Sequence, residues 1–165
     1  MYLCLMRHGK AQPFSLKKPD KQRELTEKGC CQAASMSSWA ASWWPEGKTA
    51  LWVSPYVRTC QTAAYLEQEL PIGQFHTHEA LASGDLVAVY DQILSREKSD
   101  VVCIVGHSPF LDRWVQAWTG TAVDFKTGSM ALLDSDVPGG RIGSASLLFY
   151  VHPKALKFLE ASRKK

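Results

Sequence analysis

The sequence lacks any long uninterrupted hydrophobic run, and this absence argues against a membrane protein. No apolar stretch approaches the roughly 20 residues that a transmembrane helix requires. Residues 1–6 are too short for a signal peptide, and Arg7 and His8 interrupt the run. The composition, with 45% hydrophobic and 21% charged residues, is typical of a soluble globular chain. We therefore expect a cytoplasmic protein that has no membrane partner.

The sequence also lacks the charge pattern of a nucleic-acid-binding protein and the cysteine pattern of a disulfide framework. The net charge is only +3, and no run of basic residues alternates with aromatic ones, so we expect no nucleic-acid partner. The cysteines are odd in number and contain no CxxC pair, which favours free thiols in a reducing compartment. They are Cys4, Cys30, Cys31, Cys60 and Cys103.

Segments rich in strand-forming residues alternate with helical patterns along the whole chain. This order favours right-handed crossovers and an α/β three-layer sandwich: a mostly parallel central sheet with helices on both faces. The last two strands are expected to be antiparallel, with Gly139-Gly140 as the candidate turn of a hairpin between them. The chain contains no linker and no internal repeat, so residues 1–165 are expected to form a single domain. The predicted strands are 2–6, 50–53, 74–78, 101–105, "SMALLD" and "SASLLFYV", and the predicted helices are 26–43, 56–70, 85–97, 109–119 and 153–162.

Chemically capable side chains follow the predicted parallel strands, at the point where each strand ends. Because ligands bind beyond the carboxyl ends of the strands in open α/β sheets, we expect these side chains to form one cluster. Two helices are predicted to start there, with Ser54 and Ser108 as N-caps and Pro55 and Pro109 as first helical residues. The residues that follow the strands are Arg7 and His8, then Ser54 and Arg58, then Glu79, then His107.

Two guanidinium groups beside two imidazoles suit a tetrahedral dianion such as a phosphoryl group. The planar fork of Arg makes paired contacts with phosphate oxygens. A histidine held neutral on one nitrogen can attack phosphorus directly. A neighbouring carboxylic acid can protonate the leaving atom and can later activate water. Since the arginines supply the charge stabilisation, this chemistry is predicted to need no metal or other cofactor.

The motifs that carry these residues identify a family. "RHG" with Arg7 and His8, "SPYVRTCQTA" with Arg58, Glu79, and "VGHSP" with His107 follow one another in an order that resembles the histidine phosphatase superfamily. This family is also known as the phosphoglycerate mutase-like or branch I histidine phosphatases. The resemblance covers residues 2 to about 119. The short spacing between Arg58 and Glu79, and the segment "RELTEKG" (23–29), are similar to the SixA-type phosphohistidine phosphatases.

The resemblance implies a phosphoglycerate mutase-like fold and a role for each matching residue. His8 would be the nucleophile that is phosphorylated during turnover. Arg7, Arg58 and His107 would hold the phosphoryl oxygens, and Glu79 matches the position of the proton donor. Two further candidates for substrate binding are Arg23 and Ser54.

Several substrates and roles remain open at this stage. The favoured substrate is phosphohistidine on a protein, such as a histidine-containing phosphotransfer domain. The alternative is a small phosphomonoester, such as a sugar or nucleotide phosphate. A non-catalytic phosphate-binding module is a third possibility, whereas a mutase is disfavoured because the chain has no room for large insertions. The default expectation for the oligomeric state is a monomer.

His76 and His78 form a competing motif, since they alternate on an extended segment and share one face. Such a pair is compatible with a metal site. No third ligand of a suitable type is evident nearby, and the proposed chemistry uses no metal. We therefore do not expect a metal to bind at this pair.

Overall fold

The central element is a mixed sheet, seen in a computed structural model that describes residues 1–135 and 143–161. Its strands are β1 (Tyr2–Arg7), β2 (Thr49–Val53), β3 (His76–Thr77), β4 (Val101–Gly106), β5 (Met130–Ser135) and β6 (Ala145–Val151). Their order in the sheet is β3-β2-β4-β1-β5-β6. Strands β1 to β4 are parallel, while β5 pairs antiparallel with both β1 and β6. The predicted mostly parallel sheet with antiparallel pairing near the C-terminus is confirmed. The predicted Gly139-Gly140 turn lies outside the described residues.

Most helices follow the sequence pattern, but a short helix over Ala80–Ser83 is not predicted by it. Thr26 caps α1 as predicted, because its hydroxyl accepts a hydrogen bond from the amide of Gly29 at 3.1 Å. The helix predicted over 85–97 is present over residues 86–94, where α4 continues as a π-helical turn over Tyr90–Leu94. In the described residues, no helix has the length and apolarity that a membrane span requires. The helices are α1 (Glu27–Ala41), α2 (Val57–Glu69), α3 (Ala80–Ser83), α4 (Leu86–Val89), α5 (Phe110–Thr119) and α6 (Leu156–Ala161).

The sheet is buried on both faces, which explains why β1 is apolar without interruption. Side chains alternate between the two faces of a strand. Leu3 and Leu5 pack in one core with α3, α4 and α5, while Cys4 and Met6 pack in the other with α1, α2 and α6. The predicted three-layer arrangement is confirmed.

The strand register brings the predicted site residues to one edge. Arg7 pairs with Gly106 across β1 and β4, and Val53 pairs with Val105 across β2 and β4. The residues just beyond these pairs, His8, Ser54 and His107, therefore leave the sheet side by side. All three are buried.

Candidate active site

The imidazole of His8 is held between two groups that determine its tautomer. Its Nδ1 lies 2.7 Å from the carbonyl oxygen of Gly9, and its Nε2 lies 3.2 Å from Nε of Arg58. A carbonyl oxygen only accepts and a guanidinium only donates. Nδ1 therefore carries the proton and donates to Gly9, while the lone pair of Nε2 accepts from Arg58. The free lone pair of His8 is thus on the nitrogen that faces the arginine.

The surroundings keep both site histidines neutral. Burial, assisted by the positive charges of Arg58 and Arg7, lowers the pKa of His8 to about 4 despite the hydrogen bond to Gly9. Burial, followed by the nearby His8 and Arg58, lowers the pKa of His107 to about 3. The two rings lie 5.2 Å apart between centroids. At neutral pH the site therefore combines neutral imidazoles with charged guanidinium groups.

Arg58 is oriented by Asp20, a residue that the sequence analysis did not identify. Arg58 is the second residue of α2 and is only 5% exposed. Its NH1 donates to the backbone carbonyl of Asp20 at 2.8 Å, and its NH2 donates to the Asp20 carboxylate at 3.1 Å. Asp20 is the first residue of a short 3-10 helix (Asp20–Gln22) in the polar loop. Both ends of the Arg58 fork are therefore held by one residue.

Arg23 binds the same carboxylate from the other side. Its Nε and NH2 each lie 2.7 Å from Oδ1 of Asp20, and its NH1 donates to the carbonyl of Gln12 at 2.7 Å. Burial tends to raise the pKa of Asp20, but the hydrogen bonds from Arg23 and Arg58 outweigh it and lower the pKa. Asp20 is therefore a shared counter-ion, and Arg23 reaches the site through it.

Ser54 positions His107 and does not cap a helix. The Ser54 hydroxyl shares a 2.7 Å hydrogen bond with Nε2 of His107, and the ring of Tyr56 packs against His107 at 4.9 Å. The cap residue of α2 is Tyr56, and that of α5 is Pro109, with no hydrogen bond from either side chain. The predicted N-caps at Ser54 and Ser108 are therefore wrong. The Ser54 side chain is engaged by the histidine instead.

Arg7 completes the positive side of the site at the end of β1. One of its terminal N–H groups donates to the carbonyl of Phe125. Its Nε is buried, and no described residue accepts a hydrogen bond from it. Arg7 thus has donor capacity that the described protein groups do not use. A buried donor of this kind suits an anionic oxygen of a ligand.

Glu79 lies at the rim of the site. Its side chain is exposed, at the start of α3, and it lines an open cleft together with Tyr56 and His78. Within the described residues, it makes no side-chain hydrogen bond or ion pair. Tyr56 also packs against the ring of His107, so one wall of this cleft borders the site. The carboxyl group of Glu79 is open to solvent in this cleft.

Two glycines fix the position of the loop that carries His8. A Cβ on Gly9 would lie 2.4 Å from the carbonyl oxygen of Gly29, and one on Gly29 would lie 2.1 Å from that of Lys10. The amide of Gly9 also donates to the Thr62 hydroxyl at 3.2 Å. The loop after β1 is thus packed directly on the backbone of α1. This contact explains the glycine that ends the "RELTEKG" segment.

His76 and His78 lie outside this cluster and pack on an aromatic ring. Their ring centroids are 5.1 and 6.3 Å from that of Trp52. In the part of the chain that the structure describes, no group of three or more His, Cys, Asp or Glu side chains has the geometry to hold a metal ion.

Arg7, His8, Arg58 and His107 thus lie together at the carboxyl edge of the sheet, and the chain is an α/β protein with two arginines and two neutral histidines clustered at that edge. A family model, histidine phosphatase superfamily (branch 1), matches residues 3–86. The chain belongs to this superfamily. A sequence comparison with curated proteins gives no match.

Solved structures of SixA proteins share the fold over nearly the whole chain. The protein histidine phosphatase SixA complexed with tungstate is 25% identical, with a TM-score of 0.80, and covers 94% of this chain and 99% of its own. The putative phosphohistidine phosphatase SixA from Agrobacterium tumefaciens is 20% identical, with a TM-score of 0.77, and covers 92% and 97%. The corresponding protein from Nakamurella multipartitia is 22% identical, with a TM-score of 0.76, and covers 92% and 95%. The fold is therefore of the SixA type.

Proposed function

We propose that this protein is a metal-independent phosphatase that forms a phosphohistidine intermediate on His8 and acts on phosphohistidine in a protein. The observation that carries the proposal is the orientation of His8. Its proton is on Nδ1, bound to the Gly9 carbonyl, and its lone pair is on Nε2, beside Arg58. A pKa of about 4 keeps this lone pair free at neutral pH.

The first step is attack of Nε2 of His8 on the phosphorus of the substrate. A bond forms between Nε2 and phosphorus, and the bond between phosphorus and the substrate imidazole nitrogen breaks. The electron pair of the broken bond stays on the leaving nitrogen, which takes a proton. Arg7 and Arg58 hold the phosphoryl oxygens and offset the charge that builds up on them.

The second step is hydrolysis of the phosphoenzyme. A water molecule attacks phosphorus and gives a proton to a carboxylate, and the bond to Nε2 breaks with its electron pair returning to His8. Glu79 is the candidate for this base, and as an acid it would supply the proton of the first step. Its exposed place on the rim, across Tyr56 from His107, gives water access to it.

A tetrahedral oxyanion fits the four central side chains. The buried Nε of Arg7, the fork of Arg58 and the neutral ring of His107 can all donate to it. One SixA structure similar to this chain holds tungstate, which has the same tetrahedral oxygen arrangement. This likeness supports phosphate as the group that the site of this chain binds.

The openness of the site favours a protein substrate over an enclosed metabolite. The segment between Arg58 and Glu79 consists of α2, a short connection and the two-residue strand β3. This segment contributes no lid. A phosphohistidine on the surface of a partner could therefore reach His8, whereas a small ester would be poorly enclosed.

Trapping the phosphoenzyme tests the proposal. The protein is mixed briefly with a ³²P-labelled phosphohistidine peptide and quenched in denaturant. The label that is bound to the protein, separated from the peptide, is then followed in acid and in alkali. We expect a label that is stable in alkali and lost in acid, and that is absent from His8→Ala. A label that survives acid but not alkali would exclude a phosphohistidine intermediate. A panel of small phosphate esters run in parallel distinguishes the small-molecule alternative, which predicts that an ester is turned over faster than the peptide.

A further inference from the structure

A second feature next to the site is an open groove of about 690 Å³ that begins at Arg7. Its walls are the loop after β1, the exposed face of α1, the loop before β5 and the connection from β6 to α6. The groove is lined by Arg7, Lys10, Lys28, Cys31, Gln32, Ser35, Lys126, Thr127, His152, Pro153 and Lys154. We refer to these residues as the basic groove.

The charge of the basic groove is almost entirely positive. Four of its residues are exposed lysines, one from each of its four walls: Lys10, Lys28, Lys126 and Lys154. Among the described residues that line it there is no Asp or Glu. One carboxylate, that of Asp124, pairs with Lys126 at 2.5 Å from outside the lining. The whole chain has a net charge of only +3, so this face concentrates positive charge.

The groove has a fixed floor. Gly128 is buried with φ of +75°, and a Cβ there would lie 2.8 Å from Cβ of Gln32 and 3.2 Å from Cγ of Pro153. Gln32 links two walls, because its Oε1 accepts from the amide of Lys10 at 2.9 Å and its Nε2 donates to the hydroxyl of Thr127 at 3.3 Å. The lysines therefore extend from a rigid base.

We propose that the basic groove docks an acidic segment of the protein whose phosphohistidine enters the active site. This inference rests on the proposed function and adds the kind of partner. Because Arg7 belongs to both the groove and the site, a chain lying in the groove would reach the edge of the site at Arg7. Lysines are mobile, strongly hydrated charges that attract an extended acidic surface and speed its association.

Two other occupants fit the groove less well. Sites for small molecules are enclosed and mainly apolar, whereas this groove is open and rich in lysine. Single-stranded nucleic acids stack their bases on aromatic rings. Among the described lining residues there is no Phe, Tyr or Trp.

The test uses two labelled peptides without phosphate that differ only in whether the histidine is flanked by Glu or by Gln. Binding is measured by fluorescence anisotropy on three versions of the full chain. These are the unsubstituted protein, Lys28→Glu with Lys154→Glu, and a matched control with Lys48→Glu and Lys98→Glu. Lys48 and Lys98 are exposed and precede β2 and β4, at the opposite end of the sheet. Both double variants change the net charge by the same amount.

We expect the Glu peptide to bind about tenfold more tightly than the Gln peptide at low salt, since attraction between complementary charges is of this order. The preference should disappear in the groove variant, persist in the control variant and weaken as salt rises. Equal binding of the two peptides, or an equal loss in both double variants, would overturn the proposal. Tighter binding of a single-stranded oligonucleotide, lost in the groove variant alone, would overturn it in favour of nucleic acid.

Hydrolysis of the phosphohistidine forms of the same two peptides separates this inference from the proposed function. Selective binding of the Glu peptide without hydrolysis of either form would contradict the proposed function and leave the groove as an acidic docking surface. Hydrolysis of both peptides at equal kcat/KM by all three proteins would support the proposed function and overturn the docking surface.

Discussion

Nε of Arg58 donates a hydrogen bond to Nε2 of His8 over 3.2 Å. If Nε2 of His8 is the nucleophile, as proposed, the guanidinium group that contacts it here would also contact the phosphoryl group that it attacks. The same arginine helps to lower the pKa of His8, after burial. One side chain thus favours the neutral form of His8 and places positive charge beside it.

Replacing Arg58 by Lys tests this dual role. Lys keeps a positive charge but cannot donate to His8 and to Asp20 at the same time. We expect kcat to fall about 10²- to 10³-fold, as for the loss of a donor to a transition-state oxyanion. Kinetics on a phosphohistidine peptide, with circular dichroism to verify folding, measure the effect. Arg96→Lys, an exchange at an exposed position, is the matched control and should keep full activity. A loss of less than fivefold in Arg58→Lys would contradict the assigned role.

Asp20→Asn should make the site bind oxyanions more tightly. The carboxylate occupies NH2 of Arg58 and pairs with Arg23, so its removal leaves the site more positive. One unit charge at about 4 Å contributes about 1 kcal/mol in water, which corresponds to an approximately fivefold lower inhibition constant for vanadate or phosphate. Inhibition assays at fixed ionic strength measure this change in the inhibition constant. Weaker inhibition would show instead that Asp20 mainly holds Arg58 in place.

Gly29→Ala should destabilise the fold although Gly29 lies in a helix. An exposed helical position would gain about 1 kcal/mol from this exchange. Here the new Cβ would lie 2.1 Å from the carbonyl oxygen of Lys10. We expect a net loss of about 1–3 kcal/mol in the free energy of unfolding, as for other overpacked sites. Urea denaturation measures the loss.

The matched control is Gly73→Ala, since Gly73 has no neighbour within 4 Å of an added Cβ among the described atoms. The free energy of unfolding of the Gly73→Ala variant should differ little from that of the unsubstituted protein. Equal stability changes in the two variants would show that the loop after β1 does not depend on contact with α1.

The buried histidines predict how stability depends on pH. Burial and the nearby charges lower the pKa of His8 to about 4 and that of His107 to about 3, from 6.5. Between about pH 6.5 and 4 the unfolded chain therefore binds more protons than the folded one. The stabilisation from these residues is complete above pH 6.5 and is lost as the pH falls through this window. In urea denaturation, the free energy of unfolding of His8→Asn should fall less steeply between pH 6.5 and 4 than that of the unsubstituted protein. An unchanged pH dependence in this variant would contradict the lowered pKa of His8.

The periodicity of the sequence predicts most of the fold, because the strands and helices are strongly apolar on the faces that they bury. Leu3 and Leu5 face one core and Cys4 and Met6 the other, so β1 has the continuous apolar pattern of a central parallel strand. The π-helical turn at Tyr90–Leu94 could not be predicted, since the spacing of Ile93 and Leu94 also fits a regular helix.

The same reasoning places His8, Arg58 and His107 near one another, because each follows a parallel strand. It does not find Asp20, which lies in a polar loop without periodicity and is positioned only by its contacts with Arg58 and Arg23. It also misassigns Ser54. A Ser-Pro pair after a strand is a typical helix start, and only the three-dimensional structure shows that the hydroxyl bonds to His107.

The most direct test of the account is to locate the phosphoryl group in the trapped phosphoenzyme. Peptide mapping by mass spectrometry identifies the residue, and ³¹P NMR distinguishes the two nitrogens of the ring. The account predicts a phosphoryl group on Nε2 of His8, because Nδ1 is protonated and bound to Gly9. A phosphoryl group on Nδ1 of His8 or on His107 would contradict it, as would turnover without a labelled intermediate.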